Sequence, residues 1–229
     1  MILRRRRAHA ALAVAVAATP ALASAGTISS WNSGVSGNWT DATKWSTNPV
    51  YPNGAGYDVV IGASASSTYY VSTGFSSNIS VDSIALTSAF AALQNYNNLS
   101  ATNGITLTAG SQLINQGQIN NTSITGGSIL SAGVDTYFSG GTLAGTTLDV
   151  QDNYSSNNVH LNNVTLSSAI LNINDGGHGN VNRIYIDGGL SGSGEIRMNS
   201  AFTDAKNIVE SFNPFSIASG IVIRTGTGG

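Results

Sequence analysis

Residues 112–130 read Q-L-I-N-Q-G-Q-I-N-N-T-S-I-T-G-G-S-I-L, and within them Ile114, Ile119, Ile124 and Ile129 follow one another at intervals of five. Apolar residues recur near 3.6 positions in an α-helix and near 2.0 in a flat strand. An interval of five, held through Asn, Gly, Ser and Thr, instead predicts a chain that turns a corner after each short extended side. We therefore expect a β-solenoid in which each side sends one large apolar residue into a narrow core.

The same interval continues beyond this stretch, with shifts of phase. If each rung has four sides of about five residues, residues 75–200 make about six rungs. Glycine and asparagine supply the positive-φ corners that such winding requires. The prediction is an all-β chain built as a parallel β-solenoid. The later apolar residues in this pattern are Val134, Phe138, Leu143, Leu148, Leu161, Leu166 and Leu171.

The first 25 residues have the features of an export signal. Arg4–Arg7 form a positive start, Ala10–Ala18 form a short apolar core, and Pro20 ends it. Ala23–Ala25 offers the small residues of a cleavage site before Gly26. The apolar segment is too short to span a bilayer comfortably. We therefore expect export, to the extracellular space or the cell surface, with residues 1–25 removed.

The charge balance and the lack of cysteine exclude several function classes. Four of the nine basic residues lie in the export signal, which leaves five bases against eleven acids. A chain with so few bases has no electrostatic basis for binding nucleic acid. Without cysteine, zinc–thiolate sites, iron–sulfur clusters and thiol nucleophiles are excluded. No cofactor is predicted, and no segment after the signal is apolar enough to cross a membrane.

The rest of the chain divides into three regions by composition. Residues 26–62 hold all three tryptophans and form an N-terminal cap region, and residues 63–200 form the solenoid. In residues 201–229 we expect a short helix over 203–212, whose apolar residues fall on one helical face, and a final strand over Ile217–Arg224. The glycine-rich ending suggests a truncated end. Alternation predicts four further strands, at Val59–Ile61, Tyr69–Val71, Ile79–Leu86 and Ile105–Leu107.

Three segments of the N-terminal half resemble known exported proteins. They are W-N-S-G-V-S-G-N-W-T-D-A-T-K-W-S, P-N-G-A-G-Y-D-V-V-I and I-S-V-D-S-I-A-L-T, in residues 31–87. Together they resemble the opening of bacterial autotransporter passengers and of large surface proteins that carry a PEP-CTERM sorting tail. The later G-G-L-S-G-S-G-E-I is similar to strand repeats associated with autotransporters. The resemblance implies a right-handed parallel β-helix displayed outside the cell, usually without enzymatic activity.

Trp31, Trp39 and Trp45 allow two interpretations. Flat aromatic rings suit the apolar faces of sugars, so the three could form a carbohydrate-binding platform. Large aromatic side chains are more often buried, and the three could instead pack over the first rung as a cap.

Two other sets of residues are candidates for metal binding or catalysis. Asp175, Asn180 and Asp187 lie in a glycine-rich stretch that suggests a calcium turn, although the register of the known nonapeptide motif fails by one residue. Asp149 and Asp152, with His160, could act as the acid and base of a β-helical polysaccharide-degrading enzyme. Residues three apart on a strand point to opposite faces, however, so the two aspartates do not converge locally.

The sequence as a whole favours a structural or adhesive protein. We expect an exported or cell-surface β-solenoid without catalytic residues, whose partners are extracellular glycans or neighbouring surface proteins. The alternatives are a carbohydrate-binding module that uses the N-terminal tryptophans and, less favoured by the residues present, a polysaccharide lyase or hydrolase.

Overall fold

The computed structural model describes residues 26–132, 135–151, 157–174, 181–199, 206–211 and 213–226. Residues 1–25, where an export signal is predicted, and Val134 lie outside these residues. Apart from a single 3-10 turn at Ala42–Lys44, all regular structure in the described ranges is β-strand. The prediction of an all-β chain is therefore confirmed.

The strands are short up to residue 151 and long afterwards. In chain order they are β1 Thr27–Ser30, β2 Gly37–Asn38, β3 Tyr57–Ile61, β4 Tyr69–Ser72, β5 Ile79–Val81, β6 Ser83–Leu86, β7 Ala91–Asn95, β8 Asn98–Ala101, β9 Ile105–Leu107, β10 Gln112–Asn115, β11 Gln118–Asn120, β12 Ile124–Thr125, β13 Ser128–Ala132, β14 Thr136–Ser139, β15 Thr142–Ala144, β16 Thr147–Gln151, β17 Asn158–Asn174, β18 Val181–Asn199, β19 Lys206–Glu210, β20 Ser216–Ile217 and β21 Gly220–Gly226.

The named strands pair in parallel and form three faces, so each rung is a triangle. The first face stacks β1, β3, β6, β9, β12 and β15. The second stacks β2, β4, β7, β10, β13 and β16. The third stacks β5, β8, β11 and β14. β17 and β18 each pass through all three faces, and β19, β20 and β21 continue the third, first and second faces.

A parallel solenoid of about six turns over residues 75–200 is confirmed, but the prediction of four sides is wrong. Ile119, Ile124 and Ile129 lie on the third, first and second faces of one turn, and each is buried. The next buried apolar residue among those the structure describes is Phe138, back on the third face, nine positions after Ile129. The five-residue interval therefore marks three sides, and the longer passage from the second face to the third produces the shifts of phase.

One of the four isoleucines that recur at intervals of five does not face the core. Leu113 pairs with Ile129 and is fully buried, whereas Ile114 pairs with Leu130 on the outer side of the second face and, although only 9% exposed, is not part of the core cluster. Alternation along β10 places these neighbours on opposite sides of the strand. The prediction of an inward Ile114 is thus wrong by one residue.

The corners use backbone conformations that favour glycine. Gly141 has φ +79°, and a Cβ added there would lie 2.2 Å from the carbonyl oxygen of Thr122 on the preceding rung. The corner therefore excludes a side chain, which explains a glycine between two strands of the stack.

The predicted helix over 203–212 is wrong, because residues 206–210 form strand β19. This strand pairs in parallel with Val181–Tyr185 of β18. A helix of ten residues is marginal in water, whereas the unpaired edge of β18 offers a full set of backbone hydrogen bonds. Residues 203–205 and 212 lie outside the described residues.

The strand predictions hold with two adjustments. Val59–Ile61, Tyr69–Val71 and Ile105–Leu107 are confirmed. Ile79–Leu86 is split at Asp82, where the chain turns from the third face to the first. The final strand is likewise split into β20 and β21.

A column of buried polar side chains lines the corner between the second and third faces. Asn95 and Asn115 are fully buried and lie on successive rungs, joined by a 2.8 Å hydrogen bond from Nδ2 of Asn95 to Oδ1 of Asn115. Asn157 and Asn182 repeat the arrangement higher in the stack, where the backbone N–H of Asn157 donates to Oδ1 of Asn182 at 3.2 Å. These amides satisfy backbone groups that the turn leaves unpaired inside the protein.

Candidate functional site

The three tryptophans lie inside the N-terminal end of the solenoid. Trp39 and Trp45 are fully buried and Trp31 is 3% exposed. The centroid of the Trp45 ring lies 4.9 Å from that of Trp31 and 4.8 Å from that of Trp39. Each indole N–H donates to a backbone carbonyl, at 2.8 Å from Trp39 to Pro52 and at 2.6 Å from Trp45 to Trp39. The ring faces thus contact one another and the core, and in this structure they are not presented to a sugar.

Two of the three residues of the predicted acid–base set lie on different faces of the solenoid. Asp149 lies on the outer side of the second face, where it accepts a 2.8 Å hydrogen bond from Nδ2 of Asn172. His160 lies on the outer side of the third face, and Asp152 is outside the described residues. The structure therefore does not bring Asp149 and His160 together.

The calcium prediction is only partly within the described ranges. Asp175 and Asn180 lie outside them, and Asp187 is on the third face beside His160. Within the part of the chain that the structure describes, no three His, Cys, Asp or Glu residues are grouped so that they could hold a metal ion.

The most distinctive surface is the outer side of the third face. One row of side chains runs along it, one residue per rung, from amides through aromatic rings to a carboxylate. We call this the third-face row. Its members are Asn78, Asn98, Gln118, Tyr137, His160, Tyr185 and Glu210.

The middle of the third-face row is a stack of three rings. The centroids of Tyr137 and His160 are 4.4 Å apart with an angle of 15° between the planes, and those of His160 and Tyr185 are 4.6 Å apart at 12°. Parallel pairing at roughly 4.8 Å per strand produces this stacking directly. The rings cover one another's faces, so they offer mainly their edges and polar tips to a partner. Nδ1 of His160 lies 3.4 Å from Oδ2 of Asp187.

The C-terminal end of the third-face row is charged. Arg183 and Glu210 form an ion pair with Nε and Oε1 3.0 Å apart. Burial, followed by the hydrogen bond with Glu210, raises the pKa of the Tyr185 phenol. Oδ1 of Asp135 accepts a 2.7 Å hydrogen bond from Asn158 at the same edge. This end of the face therefore offers charged groups, in contrast to the amides at the other end.

A second charged group lies on the outer side of the second face. Glu195 accepts hydrogen bonds from Nε of Arg197 at 2.7 Å and from Arg224, and these two guanidiniums lower its pKa to about 2. The carboxylate borders a cleft of about 370 Å³, lined also by Ile170 and Val222. A carboxylate held ionised by two arginines is a weak proton acceptor, which suits an ion pair better than a general base.

Sequence reasoning missed both the third-face row and the buried amide column. A signal for the row exists only once the rungs are aligned, because Tyr137, His160 and Tyr185 are separated by unequal numbers of residues.

Comparison with models of known families, with curated proteins and with solved structures gave no match. The described residues contain no helix long and apolar enough to cross a membrane.

Proposed function

We propose that this chain is an exported structural protein of the cell surface, a stiff solenoid that makes adhesive contacts through its third face and has no catalytic role. The observation that carries the proposal is the third-face row, which presents hydrogen-bonding and aromatic side chains in register over seven successive rungs. A regular, extended row of this kind suits contact with an extended partner better than enclosure of a small substrate.

The stiffness follows from the core. Buried apolar residues form a single cluster from Trp31 to Ile221, so no break in packing separates one group of rungs from the next. Nine strand passes stack on the first face, which at about 4.8 Å per step gives a length of roughly 38 Å. Close packing makes such a stack resist bending.

The proposed function also includes export from the cell and a right-handed coil. The positive start, apolar core and small-residue cleavage site of residues 1–25 support secretion. The parallel connections between faces support a right-handed coil, because right-handed crossovers dominate parallel β-structure. The resemblance to autotransporter passengers and PEP-CTERM surface proteins supports the same location, with glycans or neighbouring surface proteins as partners.

Adhesion can be tested with beads coated with the secreted protein. We expect coated beads to attach to surfaces bearing extracellular polysaccharide or envelope protein, and attachment to fall when Gln118 and Tyr137 are both replaced by Glu. The matched control replaces Thr106 and Thr125, exposed on the first face, by Glu. Attachment that never exceeds that of uncoated beads, or an equal loss in both double variants, would contradict the proposed role of the third face.

A further inference from the structure

We propose a binding subsite for neutral oligosaccharides at the N-terminal end of the third face, formed by the rings of Phe75 and Tyr96 and the side-chain amides of Asn78 and Asn98. This inference rests on the proposed adhesive function and assigns a ligand class to one end of the same face. The subsite lies at the corner where the chain passes from the second face to the third.

The ring pair is unusually open to solvent. Phe75 is 80% exposed, the largest exposed fraction among the large hydrophobic side chains of the described residues. Its ring centroid lies 4.5 Å from that of Tyr96 on the next rung, at an angle of 40°. A phenylalanine at this exposure forgoes nearly all the burial that normally stabilises such a residue. An open aromatic surface is the element that packs against the C–H groups of a sugar ring.

The turn that carries Phe75 is held in place by the next rung. Nδ2 of Asn97 donates to the carbonyl oxygen of Phe75 at 3.2 Å. Asn97 is in turn fixed by the buried Asn95, whose Nδ2 donates to the Asn97 carbonyl at 2.9 Å. The backbone that carries the aromatic pair is thus attached to the amide column of the core, so the turn itself loses little conformational freedom on binding.

Asn78 and Asn98 follow Phe75 and Tyr96 by three and two positions, and their side-chain amides supply a donor and an acceptor. Nδ2 of Asn98 donates to Oδ1 of Asn78 at 3.0 Å, which leaves Nδ2 of Asn78 and Oδ1 of Asn98 for a ligand. The backbone at Asn78 is fixed by Asn53, whose Nδ2 donates to the Asn78 carbonyl at 3.2 Å and whose Oδ1 accepts from the Ser80 N–H at 2.9 Å. Neighbouring sugar hydroxyls can both donate and accept, and a paired donor and acceptor match them.

The chemistry favours a neutral sugar over a charged one. Phe75, Tyr96, Asn78 and Asn98 include no basic side chain, whereas an acidic sugar is best recognised by arginine or lysine. An apolar peptide would match the rings but would leave the amide donor and acceptor unpaired, at a cost in affinity. The subsite therefore fits a ligand that has apolar C–H faces and uncharged hydroxyl groups.

The test titrates the full secreted chain with a fixed panel: cello-, manno-, galacto- and chito-hexaose as neutral probes and hexagalacturonate as the acidic one. We expect the wild type to bind at least one neutral probe, and Phe75→Ala to weaken that binding by about tenfold or more. Phe90→Ala is the matched control, since Phe90 is 41% exposed at the corner between the first and second faces. The melting temperature of Phe75→Ala should match that of the wild type, because its side chain is largely in solvent.

The outcomes separate this inference from the adhesive function. No binding of any neutral probe, equal affinity for wild type and Phe75→Ala, or binding of hexagalacturonate alone would overturn the subsite. Beads coated with Phe75→Ala that still attach as well as wild type would leave adhesion standing while the subsite fails. Wild-type beads that attach to nothing would instead reject the proposed function itself.

Discussion

The buried amide column predicts that Asn95→Ala is among the most damaging single substitutions outside the apolar core. Asn95 is fully buried, and its Nδ2 donates at 2.8 Å to Oδ1 of Asn115 and at 2.9 Å to the carbonyl oxygen of Asn97, with a longer contact of 3.3 Å to the Gln118 carbonyl. Its Oδ1 accepts at 3.4 Å from Thr73 and from the Asn97 N–H, which are weak contacts at that distance.

The magnitude follows from the two short bonds. Each intramolecular hydrogen bond contributes about 1 kcal/mol net, and each buried acceptor left without a partner costs about 1–3 kcal/mol. Alanine at position 95 removes both bonds and leaves the buried Oδ1 of Asn115 with only a 3.4 Å contact from the Gly117 N–H, whereas the Asn97 carbonyl keeps its hydrogen bond from the Gln118 N–H. We therefore expect a loss of about 2–4 kcal/mol in the free energy of unfolding. Asn98→Ala, which loses one hydrogen bond near the surface to Asn78, should cost about 0.5 kcal/mol or less.

Urea unfolding followed by circular dichroism measures both variants. We expect the midpoint to fall sharply for Asn95→Ala and barely for Asn98→Ala, with the slope m unchanged in both because the same surface is exposed on unfolding. If the two variants unfold at the same urea concentration, the amide column does not stabilise the corner.

Three further perturbations have defined outcomes. Ile119→Asp places an unpaired charge in the core and should cost several kcal/mol, whereas Asn121→Asp, on an exposed corner, should be nearly silent; equal thermal melts would contradict the assignment of the core. Trp39→Ala should cost about 3–5 kcal/mol because the ring is fully buried, and a stable variant that loses only sugar binding would support the platform interpretation instead. The pKa of Glu195 is lowered to about 2 by its two arginines, so its contribution to stability is present above pH 4.5 and is lost as the pH falls toward 2. As the pH is lowered from 4.5 to 2, the melting temperature should fall less steeply for Glu195→Gln than for the wild type. Equal dependence of the melting temperature on pH in the two proteins would show that the ion pair does not stabilise the fold.

The β-solenoid fold could be predicted because the inward apolar residues recur at a nearly constant spacing along the chain. Ile119, Ile124 and Ile129 are spaced by the length of one strand plus one tight corner, which changes little within a turn. The number of sides could not be obtained in the same way. The passage from the second face to the third varies in length, as between Ile129 and Phe138, and an outward loop of any length leaves the core unchanged.

Local spacing in the sequence could have predicted two of the buried amides, although the high asparagine content of the chain makes that spacing hard to notice. Asn95 and Asn115 each follow an inward leucine, Leu93 and Leu113, by two positions, and strand alternation places residues two apart on the same side. Because the chain is rich in exposed asparagine, this spacing is the only local feature of the sequence that distinguishes Asn95 and Asn115 as buried. The third-face row had no local mark, because its members become neighbours only through the pairing of rungs.

The incorrectly predicted helix is a case in which a local sequence pattern was present but misleading. Residues 203–212 have an amphipathic period, yet local propensity is a weak guide where a strand edge is available for pairing. Ile208 pairs with Arg183 and Val209 with Ile184 of β18, and those contacts depend on residues far away in the chain.

Unequal stretches of sequence wind into three faces in parallel register. Because the chain has no cysteine, pairs of introduced cysteines report that register directly after mild oxidation and mass spectrometry. Gln112→Cys with Ser128→Cys and His160→Cys with Tyr185→Cys should both form disulfides, since each pair lies on adjacent strands. Ser128→Cys with Tyr137→Cys, closer in sequence but on different faces, should remain unlinked. Efficient linkage of that last pair, with none in the first two, would contradict the three-sided solenoid.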